Sequence, residues 1–134
     1  MAPAPDPPLP PSDRATFDRL LAGIIDQLPE PWSSRLAEVG VIVEDHPSTH
    51  LRSELGLEPD QTLLGLHQGV PDCEASVEHS GLLPPRIYLF RGPIWDEADA
   101  LDQPVEVQIR ITLLHELGHQ FGLDEDDLEA EGFA

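Results

Sequence analysis

The sequence predicts an α+β domain with a small sheet packed on helices. Segments with helical and strand patterns follow one another in the order helix, strands, helices, without a repeating strand–helix–strand alternation. The 134 residues have room for one modest hydrophobic core, not for two. No internal repeat is present.

The chain begins with a proline-rich segment. Six of the first eleven residues are prolines, which lack a backbone donor and favour extended conformations. We therefore expect residues 1–12 to form a disordered tail and residues 13–134 to form the domain. Ser12 or Asp13 would cap a first helix, which Pro29 ends. This helix carries one apolar stripe: Phe17, Leu20, Leu21, Ile24, Ile25 and Leu28.

The middle of the chain contains short helices and strands in an irregular order. The pattern predicts a helical turn over 32–38, a buried strand over 39–45, a short helix capped by Ser48 or Thr49, strands over 62–70 and 86–90, and a helix around 94–101. Residues 71–85 have a polar, loop-like composition, and Arg91–Pro93 should form a turn. Trp32 and Trp95 should pack on the core.

The last long segment is ambiguous, because its first half alternates apolar residues as a strand does, whereas its second half does not. Pro104 suits the first turn of a helix, Asp102 or Gln103 could cap it, and Gly122 suits the left-handed position just past its end. We therefore predict one long helix over about Pro104–Phe121.

Two histidines lie four residues apart on this helix, in the sequence HELGH. Residues at this spacing project from one face, so the imidazoles of His115 and His119 can bind one metal ion. Glu116 would lie at the rim, where it can take a proton from a metal-bound water. Neutral imidazoles with a carboxylate favour zinc, so we predict one Zn²⁺ ion. The alternative is a helix with two histidines on one face and no metal.

A catalytic zinc needs a third protein ligand and an open fourth position. If Gly122 turns the chain back, Glu125 returns to the site ten residues after His115. Three neighbouring acids compete for this role: Asp124, Asp126 and Asp127. We expect the acids that do not bind metal to complement the dipole at the start of a last helix.

The other histidines lack paired spacing, and we expect them at the surface, away from any metal: His46, His50, His67 and His79. Tyr88 could donate a hydrogen bond to an oxyanion. Its position in a strand pattern favours an ordinary structural role.

The charge of the chain limits its partners. Seven basic and 26 acidic residues give a formal charge of −19, which would repel nucleic acid and attract basic peptides. Cys73 is the only cysteine, so no intramolecular disulfide can form. Neither a signal peptide nor a membrane span is indicated. We expect a cytoplasmic monomer with no nucleic-acid or membrane partner.

Four segments together resemble the small bacterial zincin-like metallopeptidase family: VIVEDHPS, LLGLHQGVP, PPRIYLFRGPI and IRITLLHELGHQFGLDEDDLEAEGF. The similarity extends from about Arg14 to Phe133. It implies a minimal zincin fold, with a short mixed sheet over the HExxH helix and zinc held by both histidines and an acid after Gly122. The family usually has aspartate where this chain has Glu125. The methionine turn of metzincins is absent, because Met1 is the only methionine.

These observations predict a zinc-dependent peptidase that hydrolyses an unidentified peptide or protein, with Glu116 as general base. Arg86–Phe90 is a candidate for an exposed sheet edge along which an extended substrate would lie. Two alternatives remain: a non-catalytic metal-binding or peptide-binding module of the same fold, and an acidic surface that binds a basic partner.

Overall fold

The computed structural model describes residues 8–68, 85–124, 126, 127 and 130. These residues form helices around a three-stranded sheet, which confirms the α+β class. The elements in chain order are α1 (Pro11–Asp26), α2 (Trp32–Ala37), β1 (Gly40–Glu44), α3 (Thr49–Glu54), β2 (Gly65–Gln68), β3 (Arg86–Phe90), α4 (Arg91–Ala100) and α5 (Val105–Gln120). Most of the predicted polar loop over 71–85 lies outside the described residues.

The sheet is mixed and has the strand order β1-β3-β2. Strand β3 runs parallel to β1 and antiparallel to β2, and it pairs Leu89 with Gly65 and Ile87 with His67. The prediction that Arg86–Phe90 forms an exposed edge is therefore wrong, because β3 is the central strand. Strand order depends on contacts distant in sequence, which the local pattern of RIYLF does not encode.

The core lies between one face of the sheet and the helices. Helix α5 packs against β2, β3, α1 and α4, so it is covered on several sides. Fully buried side chains come from α1, β3, α4 and α5, and they include Phe17, Ile87, Leu89, Ile94, Ile109, Leu113 and Leu117. The predicted stripe of α1 is confirmed, with its members buried or packed against this core. Trp32 is buried, and Trp95 is partly buried on the same cluster.

Several helix boundaries differ from the prediction. Helix α1 begins at Pro11, inside the expected tail, because proline is well suited to the first helical position. Residues 91–93 do not form a separate turn but begin α4, and the Gly92 amide donates to the Asp45 carbonyl at 2.8 Å. Ser48 caps α3 as predicted, with its Oγ accepting from the Leu51 amide at 3.0 Å.

The long C-terminal helix is confirmed. It covers Val105–Gln120, so the helical interpretation of the ambiguous segment was correct. Its N-cap residue is Pro104, which has no side chain able to cap, and neither Asp102 nor Gln103 takes that position. No helix in the described part of the chain is long and apolar enough to cross a membrane.

Candidate metal centre and active site

Helix α5 brings the two predicted histidine ligands together. His115 and His119 lie one turn apart, with their Nε2 atoms 3.1 Å apart. Their rings meet edge to face, with centroids 4.6 Å apart and an interplanar angle of 81°. Both nitrogens therefore face the same small volume beside the helix.

The turn after α5 orients His119. Gly122 has a φ of 84°, a left-handed conformation that suits glycine, and the Leu123 amide turns back to donate to the Gly118 carbonyl at 3.0 Å. This turn places the Leu123 carbonyl 3.1 Å from Nδ1 of His119. A carbonyl cannot donate, so we assign the proton to Nδ1. In the neutral ring, Nε2 then carries a lone pair directed towards His115, as a metal ligand requires.

The spacing of the two nitrogens fits zinc. Imidazole nitrogens bound to one tetrahedral zinc ion at ~2.0–2.1 Å would lie roughly 3.3 Å apart. The observed separation of 3.1 Å is close to this value. Backbone hydrogen bonding through Nδ1 is also the usual support of a histidine ligand. The pair therefore fits the predicted metal in both spacing and donor chemistry.

The described residues show no third ligand beside the two histidines. Glu125, the predicted ligand, lies outside them, and no three His, Cys, Asp or Glu side chains within them are grouped so as to hold a metal ion. Asp124 and Asp127 cap each other instead, with Asp127 accepting from the Asp124 amide at 3.1 Å and Asp124 accepting from the Asp127 amide at 2.9 Å. Asp126 is exposed. Glu125 as a ligand stays a prediction.

Glu116 has a partner that the sequence did not indicate. Nδ1 of His67, on β2, lies 3.2 Å from Oε2 of Glu116. The His67 ring also stacks on His119, with centroids 5.5 Å apart and an interplanar angle of 24°. The expectation that His67 lies at the surface, away from the site, is wrong. The contact of His67 with Glu116 depends on how β2 packs against α5. No local sequence pattern reveals that packing, so the sequence alone could not identify His67.

The other residues weighed from the sequence lie elsewhere. Tyr88 is next to Ile87 and Leu89, which face α5, so its side chain projects from the opposite face of the sheet and stacks on Phe90, with ring centroids 6.4 Å apart. This placement favours an ordinary strand role. His50 lies on the surface of α3, with its Nε2 2.9 Å from Oε1 of Glu54.

His46 is also away from the metal centre. It packs against Gly92 at the start of α4, close enough that a side chain at position 92 would collide with its ring. His79 lies outside the described residues.

A cavity of about 280 Å³ opens beside Glu116, between α5 and the segment that leads into β2. Apolar side chains line much of it, and its polar wall includes a Gln108 side chain that donates to Thr112 Oγ1 at 3.2 Å. The lining residues are Thr62, Leu63, Leu64, Gly65, Gln108, Ile111, Thr112, His115 and Glu116. A bound molecule in this cavity would contact both Glu116 and His115.

The chain resembles known proteins at the level of family and of fold. The family model of zincin-like metallopeptidases matches residues 36–133, and the chain therefore belongs to this family. No curated protein matches the chain. The solved structure of a conserved hypothetical protein from Thermus thermophilus is similar, with a TM-score of 0.51 and 23% identity over 89% of this chain and 96% of that one. This second likeness supports the fold alone.

Proposed function

We propose that this chain is a zinc-dependent peptidase in which His115, His119 and Glu125 hold the metal ion and Glu116 is the general base. The observation that carries the proposal is the pair of Nε2 atoms, 3.1 Å apart, on the helix that also presents Glu116. Membership of the zincin-like metallopeptidase family supports the same chemistry.

Each residue has a distinct role in this proposal. When bound, zinc supplies a Lewis acid that polarises a peptide carbonyl and lowers the pKa of water to about 7. Glu116, whose side chain is 14% exposed, takes the proton of the attacking water and later gives it to the leaving amine. Each turnover therefore returns Glu116 to its carboxylate form.

The substrate would bind along β2. Within the described residues this strand pairs with β3 alone, so an extended peptide can add to its outer edge. The cavity beside Glu116 would then receive a side chain next to the scissile bond. Away from His115 and Glu116, its lining combines leucine and isoleucine with threonine and glutamine, which favours an uncharged side chain. The chain charge of −19 favours basic residues elsewhere in the substrate.

The proposal is tested with Glu116→Gln, which removes the base and keeps the size of the side chain. Zinc-loaded protein is incubated with a library of unstructured peptides, and the products are identified by mass spectrometry. We expect kcat/KM to fall by about 10²–10⁴-fold, because a general base contributes about this much. Zinc content should stay at the wild-type level.

Glu106→Gln is the matched control, because Glu106 is an exposed carboxylate in the first turn of the same helix. This variant should cleave as the wild type does. Equal turnover of Glu116→Gln and wild type would exclude Glu116 as the base. Full zinc binding without cleavage of any peptide by the wild type would replace the proposal with a non-catalytic metal-binding module.

A further inference from the structure

We propose that His67 is a positioning residue for Glu116: it donates from Nδ1 to Oε2 and so directs the other carboxylate oxygen, Oε1, towards the attacking water. The inference rests on the proposed function, since it adds a residue to that site. It is carried by two contacts, 3.2 Å between His67 Nδ1 and Glu116 Oε2, and 5.5 Å between the His67 and His119 ring centroids.

The sheet places His67 at the site through strand alternation. Gly65 and His67 are two residues apart on β2, so they face the same side of the sheet. Position 65 faces α5, because a Cβ there would lie 3.0 Å from Thr112 Cγ2 and 3.1 Å from Glu116 Cγ. His67 must therefore also face α5. Its partner across the sheet is the fully buried Ile87, on the same face.

The two contacts hold the His67 ring in one orientation. Stacking on His119 limits rotation of the ring, and the contact with Glu116 sets which nitrogen faces the carboxylate. Side-chain exposure is 31% for His67 and 14% for Glu116, so the pair lies at the rim, between the packed interior and the cavity mouth. This is where substrate and water would meet the base.

Glutamate needs such support because its side chain has several rotatable bonds. A free carboxylate would spend much of its time turned away from the water, and proton transfer requires hydrogen-bond geometry. Within the described residues the hydrogen bond to Glu116 is made through Oε2, and in this proposal Oε1 accepts from the water. Loss of a residue that orients a metal ligand typically costs 10–100-fold in activity, and we expect a loss of similar size for a residue that orients the base.

The experiment compares His67→Leu with His67→Asn. Leucine fills a similar volume without a donor, whereas asparagine keeps an N–H near the position of Nδ1. We expect kcat of His67→Leu to fall about 10–100-fold with KM and zinc affinity unchanged, and we expect His67→Asn to recover most of the loss. His50→Leu, on the exposed surface of α3, is the control and should match the wild type.

Other outcomes overturn the inference. A parallel loss of zinc affinity in both His67 variants would make His67 a metal ligand. Equal losses of kcat in the two variants would show that the hydrogen bond from His67 does not contribute to turnover. A wild-type kcat in His67→Leu would show that His67 has no role in turnover. A wild type that cleaves no peptide would instead contradict the proposed function.

A second readout does not depend on activity. In metal-free, ¹⁵N-labelled protein, imidazole correlation spectra report which ring nitrogen carries a proton. We expect a proton on Nδ1 of His67, and a marked shift of this nitrogen in Glu116→Leu but not in Glu106→Leu. An unprotonated Nδ1, or no shift in Glu116→Leu, would show that His67 does not donate to Glu116.

Discussion

Gly65 on β2 lies so close to Glu116 on α5 that a Cβ at position 65 would be 3.1 Å from Glu116 Cγ. The same Cβ would lie 3.1 Å from the Tyr88 carbonyl oxygen, which belongs to the neighbouring strand and cannot move freely. Because Gly65 has no side chain, β2 can lie this close to the proposed base, Glu116.

Gly65→Ala should lower the free energy of unfolding by about 1–3 kcal/mol, because the added methyl group overpacks the contact between β2 and α5. Chemical denaturation measures the change. Gly23→Ala is the matched control: a Cβ at position 23, in helix α1, meets nothing within 4 Å. This variant should gain up to about 1 kcal/mol, since alanine has the higher helix propensity. Equal effects of the two substitutions would contradict the close approach.

The protein should bind one zinc ion per chain, and binding should raise the melting temperature because the ion binds the folded site alone. His119→Ala should abolish stoichiometric zinc uptake in calorimetry. A chelator should lower the melting temperature of the zinc-loaded wild type but not that of this variant. His50→Ala is the control, since the His50 side chain is 83% exposed and lies on α3. Full zinc uptake by His119→Ala would contradict the metal site.

Glu125→Ala should weaken zinc binding by more than about 100-fold, because loss of a ligand should exceed the 10–100-fold effect of losing a supporting residue. Glu125→Asp should retain more affinity. Competition with a chelator measures both.

Two neighbouring acids provide the controls for this series. Asp126→Ala should bind zinc as the wild type does. Asp124→Ala should keep its zinc affinity but lose about 1 kcal/mol of stability, because Asp124 Oδ1 accepts from the Asp127 amide at 2.9 Å. A larger loss of zinc affinity in either control than in Glu125→Ala would show that the substituted aspartate, and not Glu125, is the third ligand.

Arg35, on α2, should stabilise the end of α5 by direct contact. Its guanidinium carbon lies 4.9 Å from the Trp32 ring centroid and 5.0 Å from that of Phe121, next to the Gly122 turn. Arg35→Ala should lower the free energy of unfolding by about 1–2 kcal/mol through lost cation–π contact and packing. Arg110→Ala, at an exposed position of α5, should change it by less than about 0.5 kcal/mol. Thermal denaturation of both variants distinguishes the two positions.

Local features of the sequence were sufficient to predict much of the fold. The apolar stripe of α1, the Ser48 cap and the Gly122 turn each depend on residues within a few positions of one another, and the structure contains all three. The edge assignment of Arg86–Phe90 was wrong, because a strand's place in a sheet depends on which distant strands pair with it.

The sequence by itself determined the spacing of His115, Glu116 and His119, because the 3.6-residue period of an α-helix fixes their relative positions wherever the helix packs. Tertiary structure alone decided that His67 meets Glu116, across 49 positions of the chain. That contact requires β2 to pair with β3 in one register and to lie against α5. Helical periodicity is a short-range property, whereas strand order and register arise from the packing of the whole domain.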